Sequence, residues 1–273
     1  MDTVQQFFTA VMLAADREED NPVAKAAGVR CKSLAPINGT PMIFRVLEAL
    51  SSSRRVKNQI LCGPPENIMD QESDLSGYIA ADKAGWVENK ATPSLSALHV
   101  MQLVPEDIPI LLTTSDHALL SPQIVDHFCS EAQRTGCDVV TAVARHETVA
   151  AAYPETKRTA YRFKDGAYCS CNLFAFLTPQ ARQAPYFWRR VEQQRKNPLR
   201  VINALGWIMV LRYLMGRLTL EDALGGISHR LGVSVGAVVM PFPEAAIDVD
   251  SVNDWHFVEQ IAVQNTYKKS KGF

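Results

Sequence analysis

The stretch from residue 110 to 120, which reads ILLTTSDHALL, constrains this chain more than any other segment. A run of apolar and β-branched residues ends in a single carboxylate, Asp116, before hydrophobic sequence resumes. This pattern predicts a buried parallel strand that carries Asp116 to its carboxyl end, which is where open α/β sheets bind their ligands. The alternative interpretation is that Asp116 caps the next helix.

Strand-like apolar runs alternate with amphipathic helical stretches through the first half of the chain. This β–α–β alternation predicts a three-layer αβα, Rossmann-like, mostly parallel sheet with helices on both faces. The pattern predicts strands at 7–13, 59–62, 86–87, 108–114 and 138–144, a polar loop at 16–34, and helices at 41–50, 94–103 and 122–134.

The pattern changes after about residue 150. It predicts a hairpin around Asp165-Gly166, strands at 172–177 and 233–239, an extended run at 247–250 and a closing helix at 253–264. Residues 179–231 are nearly all helical in pattern, with a break at Pro198. We interpret residues 1–273 as a single domain and 179–231 as a helical insertion within it.

Composition excludes some classes of partner. With 47% hydrophobic and 21% charged residues the chain is an ordinary globular protein. Its net charge of −1 provides no overall field to attract nucleic acid or an anionic membrane, so any site for an anion must be local. The N-terminus does not resemble a signal peptide, and six cysteines in a long chain favour reduced thiols. We therefore expect a cytoplasmic protein. Cys169 and Cys171 alone are weak grounds for a metal site.

One apolar stretch, 204–216, raises the question of a membrane. It has 13 residues and contains Arg212, whereas a transmembrane helix needs about 20 apolar residues. A buried helix or a contact in a homo-oligomer formed through 179–231 is the expected interpretation. The neighbouring basic cluster is either a solvated helix face or a docking site for an anionic substrate or a lipid surface: Arg189, Arg190, Arg195, Lys196 and Arg200.

The end of the first predicted strand has the features of a phosphate-binding loop. Leu13 is followed by Ala14 and Ala15, whose small side chains let a ligand approach backbone N–H groups. Arg17 and Lys32 supply the positive charge that a triphosphate needs, and Lys32 could stabilise charge that develops on a transferred phosphorus. The alternative is that both are ordinary loop charges.

A second acidic motif lies near the C-terminus. Asp248 and Asp250 are two residues apart, so on a strand they would share one face. Joined by Asp116, they could hold one Mg²⁺, an ion that prefers oxygen ligands and nucleotide phosphates. The alternative role is capping of the final helix, for which Ser251 would serve equally well.

Four motifs, taken in order, resemble those of the nucleotidyltransferases with the nucleotide-diphospho-sugar transferase fold. The nearest branch is the MobA-like, molybdenum-cofactor guanylyl- and cytidylyltransferases, with sugar-1-phosphate and methylerythritol-phosphate enzymes alongside. The motifs are Leu13-Ala-Ala-x-Arg17, Lys32-x-Leu-x-Pro-Ile-x-Gly39-x-Pro41, Asp116, and Asp248-Val-Asp250-x-x-x-Asp254. The resemblance covers the sheet-forming parts, about 1–177 and 233–264.

The resemblance implies a Mg²⁺-dependent transfer of a nucleoside monophosphate, from GTP or CTP, to a small phosphorylated acceptor with release of pyrophosphate. Arg17, Lys32 and Asp116 would be catalytic, Asp116, Asp250 and Asp248 would bind metal, and Asn172 would contact the acceptor. The implied nucleotide-binding residues are Leu13, Ala14, Ala15, Arg17, Lys32, Pro93, Ser94, Ser96 and Asp116.

The chain departs from the family pattern in its first loop. The family commonly has glycine where this chain has Asp16, and acidic residues 18–20 follow. These carboxylates repel a triphosphate unless they face solvent, pair with Arg17 or Lys25, or join a metal. Two alternative functions therefore stay open. One is a glycosyltransferase of the same fold, which would usually carry a second acid beside Asp116, and the other is a non-catalytic nucleotide-binding protein.

Overall fold

A mixed β-sheet forms the centre of the protein in the computed structural model, which describes residues 6–16, 20–156, 158–194 and 206–270. At 190–194 and 265–270 the backbone alone is described. Arg17, with its expected role at the phosphates, and Pro198, the expected helix break, lie outside the described residues.

The strands are β1 Phe8–Leu13, β2 Pro36–Ile37, β3 Thr40–Pro41, β4 Val56–Cys62, β5 Gly85–Val87, β6 Ile110–Thr114, β7 Val139–Arg145, β8 Tyr161–Phe163, β9 Gly166–Phe176 and β10 Val235–Met240. The α-helices are α1 Pro22–Ala27, α2 Met42–Ser51, α3 Glu66–Met69, α4 Ser73–Ala80, α5 Pro93–Met101, α6 Pro122–Arg134, α7 His146–Ala152, α8 Ala184–Gln194, α9 Trp207–Leu214, α10 Leu220–Leu231 and α11 Val252–Ser270. Short 3₁₀ helices lie at Lys32–Leu34, Pro179–Gln183 and Pro243–Ala246.

The large sheet has the strand order β10-β7-β9-β6-β1-β4-β5, with β8 paired to β9. The pairs β1–β4, β1–β6, β4–β5 and β7–β10 are parallel, whereas β9 runs antiparallel to both of its neighbours in the order. The prediction of a mostly parallel sheet is confirmed. The reversal at β9 was not predicted, and it follows from the hairpin that leads from β8 into β9.

Two hydrophobic clusters cover the two faces of the sheet, which confirms the predicted three layers. One cluster includes buried side chains of α2 and α6, and the other includes those of α5. Because both faces are covered, β1 has no polar–apolar alternation and is buried along almost its whole length. Helices α5 and α6 each begin with proline after a capping hydroxyl, from Thr92 and Ser121.

The side chain of Phe128 on α6 is completely buried in the larger cluster. We expect Phe128→Ala to lower the free energy of unfolding by about 3–5 kcal/mol, since it removes a buried ring and leaves a cavity. Urea denaturation measures this change. Phe7→Ala removes a mostly exposed ring and is the control; an equal loss in both variants would mean that α6 does not anchor the core.

Some local predictions were wrong. The segment expected to be a loop at 16–34 contains the helix α1, which Asn21 caps, and α3, α4 and α7 were not predicted. These helices are short, so their periodicity spans too few residues to be recognised. The extended run at 247–250 does not form a strand; its Val249 N–H donates one hydrogen bond to the Asp116 carbonyl.

Residues 179–231 contain the helices α8 to α10 and the 3₁₀ turn at Pro179–Gln183. The interpretation of this region as an insertion in a single domain stays a prediction. Among the residues that the structure describes, no helix is both long and apolar enough to cross a membrane. All six cysteines are free.

Candidate active site

The site is built on the carboxyl end of β1, which lies between β4 and β6. Ala14 donates a backbone hydrogen bond to Cys62 on one side, and Ser115 donates one to Leu13 on the other. Gly63 has a φ of +80°, and a Cβ at this position would lie 3.2 Å from the Ala15 nitrogen. The strand ends therefore meet closely, with the small residues that were predicted for ligand approach at their junction.

Lys32 lies where these strand ends meet the segment that precedes the last helix. Its ammonium Nζ is 2.6 Å from Asp116 Oδ2 and 3.9 Å from Asp250 Oδ1, and it donates to the Val249 carbonyl at 3.1 Å. The side chain of Lys32 is 16% exposed and that of Asp250 is 72% exposed. Two predicted site residues that are far apart in sequence, Asp116 and Asp250, thus lie on either side of a third, Lys32.

Asp116 is held in its ionised form. Burial by itself would raise the pKa of this carboxyl group, but the Lys32 charge, together with hydrogen bonds from Lys32 and Thr114, brings the pKa below its ordinary value. Thr114 Oγ1 donates to Asp116 Oδ1 at 2.5 Å. Because both carboxylate oxygens are engaged, the charge of Asp116 has a fixed position.

Asp16, which stands where the family commonly has glycine, has a defined structural role. Its Oδ2 accepts a hydrogen bond from the Lys32 backbone N–H at 2.8 Å, at the start of the 3₁₀ turn Lys32–Leu34. Burial raises the pKa of Asp16 above its ordinary value. Of the acidic residues that follow in the loop, Asp20 forms an ion pair with Lys25 at 3.8 Å. Pairing with a cation was one of the ways in which these acids could coexist with a bound triphosphate.

His117 follows Asp116 and is almost fully buried. Burial lowers the pKa of the imidazole to about 4, although the nearby Asp116 carboxylate acts in the opposite direction. The ring is therefore neutral at pH 7. Lys32 is therefore the main positive charge that lowers the pKa of Asp116.

A second cluster surrounds Asp248. Asn172 Nδ2 donates to Asp248 Oδ2 at 2.6 Å, and Arg158 forms an ion pair with the same carboxylate. Arg158 also donates to the Asp248 carbonyl at 3.2 Å and lies 4.0 Å from Asp254. Asp248 directly precedes Val249, whose carbonyl accepts the hydrogen bond from Lys32. The two clusters are therefore adjacent along the chain.

Asn172 owes its position to an irregularity in β9. Thr141 on β7 pairs with Phe174 but Val143 pairs with Ser170, so β9 carries extra residues between these points. Within this bulge Asn172 has a φ of +47°, which asparagine tolerates better than most residues. The bulge turns the amide toward Asp248 instead of leaving it in the regular alternation of the strand.

The three predicted metal ligands do not form one cluster. Among the described residues, no group of three His, Cys, Asp or Glu side chains lies close enough to hold an ion. Asp116 and Asp250 flank Lys32, whereas Asp248 is paired with Arg158 and Asn172. The last helix is capped by Ser251, and not by Asp248 or Asp250: the Ser251 hydroxyl accepts a hydrogen bond from the Asp254 N–H at 3.2 Å.

The predicted nucleotide contacts on α5 are turned inward. Ser94 and Ser96 are buried, and the Ser96 hydroxyl accepts a hydrogen bond from the Lys90 N–H at 2.9 Å. Pro93 occupies the first turn of the helix, after the Thr92 cap. These residues shape the loop at 88–92 in this structure, and their contact with a nucleotide stays a prediction.

Sequence reasoning missed two contributors to the site, Arg158 and the Val249 carbonyl. A backbone carbonyl carries no signal in a sequence, and Arg158 directly follows Lys157 in a polar segment before the hairpin, with no motif around it. Asp16 was noticed only as a departure from the family pattern, although an acid at that position is also a suitable acceptor for an N–H group of a nearby turn.

Several comparisons connect this geometry to known proteins. The model of the MobA-like NTP transferase domain matches residues 10–204. A solved structure described as a hypothetical transferase from Thermus thermophilus is 25% identical, with a TM-score of 0.74 over 91% of this chain and 100% of that one. No match was found among curated proteins.

Two more distant structures share the fold. A CMP:2-keto-3-deoxy-manno-octonic acid synthetase complexed with CTP is 14% identical, with a TM-score of 0.57 over 94% of this chain and 99% of that chain. A 4-diphosphocytidyl-2C-methyl-D-erythritol synthase from Anaerococcus prevotii is 12% identical, with a TM-score of 0.56 over 94% and 96%. The matched domain agrees with the resemblance seen in the sequence, and the chain belongs to the MobA-like NTP transferase family.

Proposed function

We propose that this protein is a Mg²⁺-dependent nucleotidyltransferase that transfers a nucleoside monophosphate from CTP or GTP to a small phosphorylated acceptor. The observation that carries the proposal is the position of Lys32, held between Asp116 and Asp250 at the carboxyl end of β1. Family membership supports the reaction class, and the cytidine nucleotides in the names of the two distant structures favour CTP as the first nucleotide to test.

In the proposed reaction a phosphate oxygen of the acceptor attacks the α-phosphorus of the NTP. A new P–O bond forms, the bond from the α-phosphorus to the oxygen that bridges it to the β-phosphorus breaks, and pyrophosphate leaves with that electron pair. The protein must position the two reactants and neutralise charge. Lys32 has a flexible stem and a compact ammonium group, so it is able to exchange the Asp116 carboxylate for phosphate oxygens.

The residues around Lys32 fit a divalent cation. Asp116 is ionised and Asp250 is exposed, and the Lys32 ammonium already lies within 4 Å of a carboxylate oxygen from each of them. Asp116 and Asp250 would hold Mg²⁺ together with phosphate oxygens of the nucleotide, since this ion commonly combines one or two carboxylates with substrate phosphates. When bound, the ion would supply charge neutralisation at the phosphates. Asp248 is engaged elsewhere and is not part of this proposal.

In this proposal the acceptor binds on the side of the site where Asn172 lies, and the Asn172 amide contacts it. Arg158 holds Asp248, and Asp248 in turn accepts from the Asn172 amide, so the chain of contacts fixes the orientation of that amide. An amide held in this way leaves its oxygen and second N–H for hydrogen bonds to a ligand. Arg158 is therefore a positioning residue in this account.

We expect Asn172→Gly to raise the KM for the acceptor by roughly tenfold while leaving the affinity for the nucleotide unchanged. Glycine keeps the φ of +47° without strain, so the variant removes the amide and not the bulge. Steady-state kinetics measures the first effect, and calorimetry with CTP measures the second. A change in nucleotide affinity alone would place Asn172 on the nucleotide side.

The proposed function is tested by measuring pyrophosphate release with each of the four NTPs, Mg²⁺ and a panel of phosphorylated metabolites. The proposal requires turnover that depends on both the acceptor and the metal ion. Pyrophosphate release that needs no acceptor would indicate a different reaction, and tight nucleotide binding without turnover across the panel would indicate a binding protein.

A further inference from the structure

The helix α9 exposes an unusual number of large apolar side chains. Ile208 is 79% exposed and Leu214 is 75% exposed, and about half or more of Trp207, Leu211 and Met215 is also accessible. At 100° per residue these five positions fall within one arc of about 120° of the helix circumference. They form a single outward face, which is called the α9 apolar face below.

The opposite side of α9 is fixed to the protein. The Met209 side chain lies against Gly226 of α10, where an added Cβ would come within 2.7 Å of the sulfur. The ring of Tyr213 packs edge-on against Phe163 at a centroid distance of 5.6 Å, and its hydroxyl accepts from the Arg162 N–H at 3.3 Å. The helix is therefore anchored by one side, and its apolar face is directed away from the core.

Basic residues surround the α9 apolar face. Arg212 lies beside it on the helix and Arg217 follows it, and both are exposed. The adjoining hairpin contributes the exposed side chains of Arg162 and Lys164. The backbone N–H of Lys164 donates a hydrogen bond to the Leu218 carbonyl at 2.8 Å. Arg212 pairs with Asp222 at 2.7 Å, and the other exposed charges near the face include Arg162, Lys164 and Arg217 against Asp165 and Glu221. This leaves a small positive surplus, which is complementary to an anionic partner.

We propose that the α9 apolar face docks on the surface of an anionic lipid bilayer. An amphipathic helix with tryptophan and branched apolar residues on one face and basic residues beside it inserts at the boundary between headgroups and acyl chains. A second copy of the chain fits less well, because a helix of about 12 Å length and about 10 Å width offers far less area than the roughly 800 Å² per partner of a stable interface. This docking is independent of the proposed nucleotidyl transfer.

The test is sedimentation of the full chain with vesicles of phosphatidylcholine alone or mixed with phosphatidylglycerol. We expect binding to the mixed vesicles that weakens as NaCl is added, and at least a roughly tenfold lower partition coefficient for the double variant Ile208→Asn with Leu214→Asn. Asparagine adds no charge, so the loss reports on the apolar contact. The matched control is Leu103→Asn with Val263→Asn, which removes two exposed apolar side chains elsewhere and should bind as the unaltered chain does.

Three results would overturn the proposal. The first is no binding of the unaltered chain to either kind of vesicle, and the second is equal binding to both kinds. The third is a dimer in mass photometry that the Ile208→Asn, Leu214→Asn variant dissociates while vesicle binding is absent, which would assign the face to a second copy. Circular dichroism of each variant verifies that a loss of binding does not reflect unfolding.

Discussion

Asp116→Asn is expected to lower kcat/KM by at least about 10³-fold, with the pair of nucleotide and acceptor found by the pyrophosphate-release screen. The substitution keeps the shape of the side chain but removes the charge that faces Lys32 and, in the proposed complex, the metal ion. The fold should survive, because this carboxylate lies at the carboxyl edge of the sheet and not in either hydrophobic cluster. Steady-state kinetics and thermal denaturation of the same preparation measure both effects.

The control for this variant is Asp107→Asn, which removes an exposed carboxylate in the loop before β6. Its activity should match that of the unaltered protein. If Asp116→Asn retains activity within about tenfold while remaining folded, Asp116 is not part of the catalytic machinery.

Lys32→Met has the second large expected effect, a decrease in kcat of about 10²-fold or more with a smaller change in nucleotide affinity. A cation at the phosphates contributes most where negative charge increases in the transition state. The backbone of this turn should remain in place, because Asp16 holds the Lys32 N–H and not its side chain. Single-turnover kinetics measures the chemical step, and calorimetry with CTP measures binding.

Lys57→Met, on the exposed side of β4, serves as the matched control and should leave both quantities unchanged. Lys32→Arg should recover part of kcat, since it restores the charge with a different geometry. A defect in affinity with unchanged kcat would instead make Lys32 a residue that binds substrate and transition state equally well.

Much of the fold could be predicted because the sheet is buried on both faces. Strands such as β6 and β7 are apolar runs bounded by polar residues, and α6 has a proline after a capping serine. The position of Asp116 follows from the same pattern, since a carboxylate directly after a buried parallel strand lies at its carboxyl edge. Local physical chemistry was sufficient for these elements.

The pairing of side chains at the site could not be predicted in the same way. The sequence placed Asp248 and Asp250 on one face of a strand, but the segment has no strand partner and directs the two carboxylates to different cations. That outcome depends on Arg158 and on the bulge at Asn172, both of which are set by tertiary contacts. Asp16 shows the same limit, since only its contact with Lys32 explains an acid in a loop that should receive phosphate.

The proposed function requires that the nucleotide and the metal ion bind at the carboxyl edge of the sheet, between Lys32, Asp116 and Asp250. Its most direct test is the anomalous difference map of a crystal grown with CTP and Mn²⁺ as a substitute for Mg²⁺. We expect a peak in contact with an oxygen of Asp116 and with the phosphates, and the Lys32 ammonium on phosphate oxygens. A nucleotide bound elsewhere, with the pair of Lys32 and Asp116 intact and no peak beside it, would contradict the account.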